Sequence, residues 1–174
     1  TTATQFAVLG TQDNTKLTIV YSVSAPPYIA GSPHNMTINE GQVYYIRVTG
    51  VGKDFTGTYI SADKKVAVFG SHSCANVPVN KLACDFLIEQ LPPITSWGKE
   101  FIIVPLAGRT LGDTYRFLSS EDGASVYLDG SFVTLLDKGD FAEYIITGAG
   151  MITSDKRILV TQYANCLLYT SDAA

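Results

Sequence analysis

The sequence predicts an all-β protein, an antiparallel β-sandwich-like architecture built from two pseudo-symmetric repeats. Two observations support this fold class. Short alternations of apolar and polar residues, rich in Val, Ile, Thr, Tyr and Phe, recur along the chain between Gly, Asn, Asp or Pro residues, which is typical of β-strands. Several motifs also occur twice, in the same order in both halves, which indicates one structural unit used twice.

The alternating pattern predicts nine strands. They are Gln5–Leu9, Lys16–Val23, Val43–Thr49, Lys65–Gly70, Glu100–Leu106, Thr114–Ser119, Ala124–Leu128, Phe141–Thr147 and Arg157–Tyr163. No segment keeps an apolar stripe at helical spacing for three turns. One short helix is predicted at Cys84–Leu91, where Pro92-Pro93 would stop it.

Three pairs of motifs define the repeat. The pairs are Ile60–Lys64 with Ile152–Lys156, then Phe6–Leu9 and Asp13 with Tyr115–Leu118 and Asp122, and more weakly Glu40–Val43 with Lys138–Phe141. The first pair reads Ile-Ser-Ala-Asp-Lys and Ile-Thr-Ser-Asp-Lys, each followed by a β-branched apolar run. A four-strand sheet alone would expose an apolar face, so we expect the copies to form two antiparallel sheets or subdomains that bury these faces.

We predict a single domain over residues 1–165, with repeat A at 4–72 and repeat B at 112–165. Residues 73–111, called the connector below, have no twin and contain four of the seven prolines and the only tryptophan. The connector is either an elaborate crossover between the repeats or the functional insertion. Residues 166–174 fit no strand or cap pattern, and we expect them to be a non-native tail.

Composition limits the classes of partner. A hydrophobic content of 46% with 16% charged residues is sufficient for a packed core. The net charge of -4 and the absence of any basic cluster longer than Lys64-Lys65 argue against a nucleic-acid partner. The longest apolar runs, such as Phe101–Leu106, are too short to span a bilayer.

The three cysteines are Cys74, Cys84 and Cys166. Cys74 and Cys84 could bind zinc together with His72 and Asp85, but zinc sites normally have more closely spaced cysteines. A disulfide that closes a small loop is the favoured interpretation, and it is typical of secreted proteins. We therefore expect no bound metal and no cofactor.

No catalytic site is predicted, because the chain contains no nucleophile-elbow, His-Glu-x-x-His or phosphate-binding glycine motif. The pair Glu121-Asp122 could act as two acids, but it lies in the repeated turn, and turn chemistry explains Asp122. Three aspartates near glycines could attract calcium, although they lack EF-hand spacing: Asp129, Asp137 and Asp140. A metal-dependent hydrolase remains only a minor alternative.

Four residues are candidates for modification or binding. Asn35-Met36-Thr37 is an acceptor triplet for an N-linked sugar. His72 lies beside the cysteine loop, and Trp97 and Arg109 belong to residue types that are enriched at binding hot spots. The competing interpretation, which we favour, is that Trp97 covers the core and that Arg109 pairs with Asp113 or another carboxylate.

A set of ordered motifs follows the first repeated turn. They are Ser61–Phe69, His72–Pro78, Ala83–Asp85, Glu89–Pro93, Trp97–Phe101, Pro105–Arg109, Gly112-Asp113, Tyr115-Arg116 and Ser119–Asp122. This order resembles the N-terminal domain of the IgGFc-binding protein family, over roughly residues 4–164. The chain departs from the family pattern at Phe86, where a histidine is expected.

The resemblance implies a secreted or surface-exposed module of a larger multidomain protein. The named vertebrate member of the family is a mucus protein that binds the Fc part of immunoglobulin G. The leading hypothesis is a non-catalytic binding or adhesion module for a protein or glycan partner at an extracellular surface, with its contact surface on the connector. The second hypothesis is a structural building block of a mucus-like or extracellular matrix assembly. Neither hypothesis requires a nucleic acid or a membrane span.

Overall fold

The computed structural model describes residues 2–81 and 83–165, so the predicted tail lies outside the described residues. Within them the chain forms thirteen strands and one 3-10 helix, Ile94–Ser96, which confirms the all-β class. The strands are β1 Ala3–Gly10, β2 Thr15–Val20, β3 Pro33–Ile38, β4 Val43–Thr49, β5 Tyr59–Ala62, β6 Val66–Ala75, β7 Asp85–Gln90, β8 Gly98–Ile103, β9 Asp113–Ser119, β10 Ala124–Leu128, β11 Ser131–Leu136, β12 Phe141–Ile146 and β13 Gly150–Tyr163.

The chain divides into two compact units. Unit 1 comprises residues 1–74 and 86–93, and unit 2 comprises residues 75–85 and 94–174. Each unit contains one repeat and has its own apolar core.

Unit 1 consists of two antiparallel sheets that share one core. The larger sheet has the order β4-β1-β6-β7, and the smaller sheet has the order β3-β2-β5. Alternate residues of each strand face inward, so that Phe6 and Val8 of β1 join Leu17 and Ile19 of β2 in one buried cluster. This packing of apolar faces is sandwich-like, as the predicted fold class requires, but it lies within one repeat, whereas the sequence prediction placed it between the two copies.

Unit 2 repeats this topology with one continuous strand in place of two. Its strand order is β11-β10-β13-β9-β12, and β8 also pairs with β13. The first part of β13 pairs with β10 as β5 pairs with β2, and the later part pairs with β9 as β6 pairs with β1. In unit 1 the corresponding strand is interrupted between β5 and β6.

The strand registers of the two units agree at every compared pair. Leu9 pairs with Val43 as Leu118 pairs with Phe141, Leu17 pairs with Ala62 as Val126 pairs with Ser154, and Leu9 pairs with Ala67 as Leu118 pairs with Leu159. These are the same correspondences that the repeated motifs indicate.

The Asp-Lys turn of unit 1 connects three parts of the chain. The Asp63 carboxylate accepts a hydrogen bond from the backbone N–H of Lys16 at 2.8 Å, and the Asp63 N–H donates to the Lys16 carbonyl at 3.2 Å. The Lys64 ammonium donates to the Asp13 carbonyl at 2.6 Å. The Asp13 carboxylate in turn accepts the N–H of Glu40 at 3.2 Å. The turn therefore extends the β2–β5 ladder and ties it to the hairpins on either side.

Unit 2 contains the three corresponding hydrogen bonds that involve side chains. The Asp155 carboxylate accepts the backbone N–H of Ser125 at 2.8 Å, and the Lys156 ammonium donates to the Asp122 carbonyl. The Asp122 carboxylate accepts the N–H of Lys138 at 3.0 Å. The repeated motif is thus explained by structural hydrogen bonds, and Asp122 has the turn role that the sequence predicts.

The connector contributes one strand to each unit, β7 beside β6 and β8 beside β13. The helix predicted at Cys84–Leu91 is therefore wrong. Immediately after β7, the Leu91 N–H donates to the Val68 carbonyl at 2.8 Å, and a Cβ on Gly70 would lie 3.3 Å from the Leu91 side chain. So short a helix is marginal by itself, whereas β6 offers a free edge for pairing and a glycine surface for packing.

Aromatic side chains connect β3 to β4, which are edge strands of the two sheets of unit 1. The hydroxyls of Tyr21 and Tyr44 are hydrogen-bonded at 2.7 Å. The Tyr28 ring lies 5.0 Å from the Tyr21 ring and 4.5 Å from the His34 ring, centroid to centroid. Burial raises the pKa of Tyr44, as do its hydrogen bonds with Tyr21 and Tyr28, and burial also raises the pKa of Tyr21. The folded protein thus favours neutral phenols at this side.

Substitution of Asp63 and Asp155 tests the hydrogen bonds that their carboxylates accept from backbone amides. We expect Asp63→Ala and Asp155→Ala each to lower the free energy of unfolding by about 1 kcal/mol, because each removes the acceptor of one backbone amide. Asp63→Asn and Asp155→Asn are matched controls that keep an acceptor oxygen and should lose less. Urea unfolding measures all four variants. Equal losses for alanine and asparagine would contradict the proposed role of the acceptor.

The aromatic cluster predicts a loss of stability at alkaline pH. The pKa values of Tyr21 and Tyr44 are higher in the folded than in the unfolded chain, so the unfolded chain loses these protons first, above about pH 10. Their contribution is therefore complete below about pH 10 and declines as the pH rises further. Urea unfolding across this range should show a smaller decline for Tyr44→Phe than for the control Tyr45→Phe, which changes a half-exposed tyrosine outside the cluster. Equal declines would count against this account.

Candidate functional site

The connector begins with a disulfide-closed loop. Cys74, near the end of β6, is bonded to Cys84, immediately before β7, which confirms the predicted disulfide. Each sulfur is occupied by the other, so the zinc alternative loses its two thiolate ligands. A covalent link of this kind restricts the unfolded chain more than the folded one.

Local hydrogen bonds hold the segment around the disulfide. His72 lies on β6 opposite Thr4, and its Nδ1 accepts the backbone N–H of Cys74 at 3.2 Å. Within the loop, the Asn76 side-chain amide donates to the Lys81 carbonyl, and the Lys81 N–H donates to the Pro78 carbonyl at 2.9 Å. One nitrogen of the candidate residue His72 therefore orders the chain at the disulfide.

The aspartates considered for calcium cap backbone turns. The carboxylates of Asp129 and Asp137 accept the N–H groups of Met151 and Gly123 at 2.8 and 2.9 Å. The Asp140 carboxylate accepts the N–H of Asp137 at 3.3 Å. Among the described residues, no three His, Cys, Asp or Glu side chains come close enough together to hold a metal ion.

Arg109 belongs to a polar cluster in unit 2. Its Nε lies 3.9 Å from Oδ1 of the fully buried Asp113, and its Nη1 donates to the Asn165 carbonyl at 2.5 Å. The other oxygen of Asp113 accepts hydrogen bonds from the Leu106 N–H at 2.8 Å and the Gln162 side-chain amide at 3.0 Å. Arg109 thus supplies the counter-charge of a buried carboxylate, which is the structural role considered from the sequence.

Trp97 is half-buried and follows the 3-10 helix, where its backbone N–H donates to the Ile94 carbonyl at 3.1 Å. It lies immediately before β8 and is not a member of the apolar core cluster of unit 2. Its expected role as a cover of the core stays a prediction. Whether Trp97, His72 or Arg109 contacts a partner stays a prediction.

The main feature that sequence reasoning missed is the apolar surface of the connector. Of the twenty large hydrophobic side chains that are exposed in the described part of the chain, nine lie in the connector, which is under a quarter of that part. Val79 and Ile102 are each 85% exposed and Leu111 is 71% exposed. The remaining six are Phe86, Ile88, Leu91, Ile94, Val104 and Leu106. The connector's apolar content was visible in the sequence, but its exposure was not.

The fold and the connector define a disulfide-containing β module made of one unit used twice. A family model described as IgGFc binding protein matches residues 1–170, and the chain belongs to this family. The human IgGFc-binding protein is similar to the chain, with 28% identity over 119 residues. This match covers 67% of the chain and 2% of the human protein, so the chain corresponds to a very small part of its relative.

No solved structure matches the chain significantly. Among the described residues, no helix has the length and apolar character needed to cross a membrane.

Glycosylation of Asn35 stays a prediction, and the structure allows a direct test. Asn35 is exposed on β3, its Oδ1 accepts the Thr18 hydroxyl at 2.7 Å, and Thr37 is exposed two residues further along the same strand face. The protein secreted from eukaryotic cells should lose mass on treatment with an N-glycosidase. Asn35→Gln and Thr37→Ala should abolish this loss, whereas Thr37→Ser keeps the acceptor triplet. An unchanged mass of the treated wild-type protein would refute the prediction.

Proposed function

We propose that this chain is a non-catalytic binding module of a larger extracellular protein, and that it adheres to a protein partner through the connector. Family membership supports a binding role, since the family is described by binding. The distribution of exposed apolar side chains supports the location of the contact. A glycan partner is a weaker match for this apolar surface, because apolar and aromatic groups are typical of the core of a protein–protein contact.

The apolar excess of the connector carries the proposal. Single exposed hydrophobic residues are normal on protein surfaces. Their concentration on one short segment, nine of the twenty in the described part of the chain, supports a contact there. The two cores are formed mainly by the repeated strands, with Phe101 and Ile103 of the connector in one of them, and the exposed residues Val79, Ile102 and Leu111 belong to neither core. Covering such side chains removes apolar area from water and favours association.

The edge position of β7 makes this part of the connector, which belongs to unit 1, a contact element in its own right. β7 is the last strand of its sheet, and its residues Phe86 and Ile88 are each 59% exposed on one face. An edge strand also presents backbone N–H and C=O groups that an extended partner segment can pair with. Side-chain burial and backbone pairing can thus act together at this strand.

The disulfide supports an extracellular location. Disulfides persist in oxidising compartments and are rare in the reducing cytosol. The human relative is far longer than this chain, which supports the proposal that further domains accompany the module. The name of that relative states that it binds IgG Fc, which makes the Fc fragment the first probe to use here.

The non-catalytic assignment rests on the use made of the acidic residues. The carboxylates that were candidates for acid–base chemistry or metal binding accept backbone amides in turns, as Asp122 and Asp137 do. Such bonds occupy oxygens of these carboxylates. We therefore propose that these residues stabilise the fold.

Surface plasmon resonance tests the proposal, with immobilised IgG Fc fragment and purified mucin as probes. We expect the triple variant Val79→Ser, Ile102→Ser, Leu111→Ser to bind at least about tenfold more weakly than the wild type to a probe that the wild type binds. The matched control Ile29→Ser, Val43→Ser, Val51→Ser removes three exposed apolar residues outside the connector and should bind normally. Equal loss in both variants, or none in the first, would contradict the proposed contact surface.

A further inference from the structure

One side of unit 2 contains an open apolar groove, which we call the β11–β12 groove. It has a volume of about 320 Å³ and is lined by seven apolar or aromatic residues of β9, β10, β11 and β12. Phe117 and Leu128 contribute to its lining from the core side, and Val133, Tyr144 and Ile146 contribute from the two edge strands. The corresponding side of unit 1 is the one where aromatic residues connect β3 to β4.

The strand registers show what has changed between the units. Ser131 pairs with Leu128 as His34 pairs with Ile19, so Ser131 is the counterpart of His34. Ala142 pairs with Phe117 in the position that Tyr44 occupies in unit 1. Two aromatic rings of unit 1 are thus replaced by small side chains in unit 2, at positions next to the groove lining along β11 and β12 but not part of it.

The loop that joins β10 to β11 in unit 2 is also smaller than its counterpart between β2 and β3 in unit 1. In unit 1, residues 21–32 join β2 to β3, and they bring Tyr21 and Tyr28 into the aromatic cluster. In unit 2, the two residues Asp129 and Gly130 join β10 to β11, both with positive φ, as a tight hairpin requires. Unit 2 therefore lacks the segment that carries Tyr28 in unit 1.

Two larger residues of unit 2 fill part of the space left by the missing aromatic rings. Phe117 and Tyr144 replace Val8 and Ile46 of unit 1, and their rings are stacked at 5.7 Å. However, Tyr144 remains 36% exposed whereas Ile46 is 8% exposed. The groove therefore keeps apolar surface in contact with water, on the side where unit 1 packs Tyr28 of its loop against the core.

We propose that the β11–β12 groove receives an aromatic side chain from an extended segment of a partner protein, in the place that Tyr28 takes in unit 1. The occupant of the equivalent position identifies the chemistry, since an aromatic ring fills the same side of the same fold. β11 and β12 are edge strands among the described residues, so their backbones can also pair with an extended segment. The groove shares no residue with the connector, and the site is additional to the contact proposed above.

A peptide of this chain's own loop provides the probe. The blocked peptide Ser-Ala-Pro-Pro-Tyr-Ile-Ala, with the sequence of residues 24–30, is titrated into methyl-labelled protein and followed by NMR. We expect saturable shifts of the methyl signals of Leu128, Val133 and Ile146. The same peptide with serine in place of tyrosine should leave these signals unchanged.

Ala142→Tyr restores the residue type that unit 1 has at this position and should abolish the peptide-induced shifts. Ala30→Tyr is the matched control, since it makes the same change at an exposed loop position of unit 1 and should leave peptide binding unaltered. If Ala142→Tyr does not fold, Ile145→Glu tests the groove from its rim, where Ile145 is 52% exposed. It should weaken peptide binding by placing a charge beside the ring.

Three results would overturn the proposal. The first is the absence of shifts at these methyl groups up to about 10 mM peptide, a concentration that would detect even weak binding. The second is an equal response to the serine-containing peptide or an equal response of the Ala142→Tyr protein. The third is self-association that Ala142→Tyr abolishes, because this would assign the groove to a second copy of the chain. Binding of Fc or mucin to the connector should be unaffected by Ala142→Tyr, which separates this proposal from the previous one.

Discussion

The carboxylate of the repeated Asp-Lys motif, Asp63-Lys64 in unit 1 and Asp155-Lys156 within β13 in unit 2, accepts a backbone N–H, and we infer that this bond sets the strand register on which the rest of each unit depends. Asp63 and Asp155 take the place of a further ladder residue, and the neighbouring lysines reach across to the opposite hairpin. Since side chains alternate between the two faces of a strand, a slip of one residue would turn the core face of β2 or β10 toward water. A polar motif at the surface therefore keeps apolar side chains on the core face. This explains why the Asp-Lys motif is the most evident match between the two halves of the sequence, although it lies outside both cores.

The sequence was sufficient to predict the fold class, but it missed several of the strands at sheet edges. Strands whose inward residues alternate clearly were predicted, including β1 and β9. The strands that were predicted as loop or helix are β3, β5, β7 and β11, and all four are edge strands. Their side chains are largely exposed, as in β7, so burial imposes little pattern on their sequence. The disulfide was predictable from the spacing and context of two cysteines. The β11–β12 groove was not, because Ala142 becomes informative only when the register identifies Tyr44 as its counterpart.

The two units show how one scaffold supports different surfaces. Unit 1 covers the side between its two edge strands with a loop that carries Tyr28, whereas unit 2 connects the same strands by a tight turn and keeps that side open. The connector adds an edge strand to each unit and much of the exposed apolar surface of the described chain. The regions that differ between the repeats are therefore the regions with unsatisfied apolar surface. In a family described by binding, these differences are where we expect partner recognition to have developed.

The central claim is that each unit is ordered by the same kind of hydrogen bond, from a backbone amide to the aspartate of the Asp-Lys motif. Native-state hydrogen exchange of the amides of Lys16 and Ser125 tests this claim most directly. Each amide belongs to the second residue of a strand and donates to an aspartate side chain at 2.8 Å. We predict that both amides exchange slowly, with similar protection, because opening each bond requires the Asp-Lys segment to separate from that strand. Exchange of either amide at the rate of an unstructured peptide would contradict the account, since it would show that the carboxylate does not hold the register in that unit.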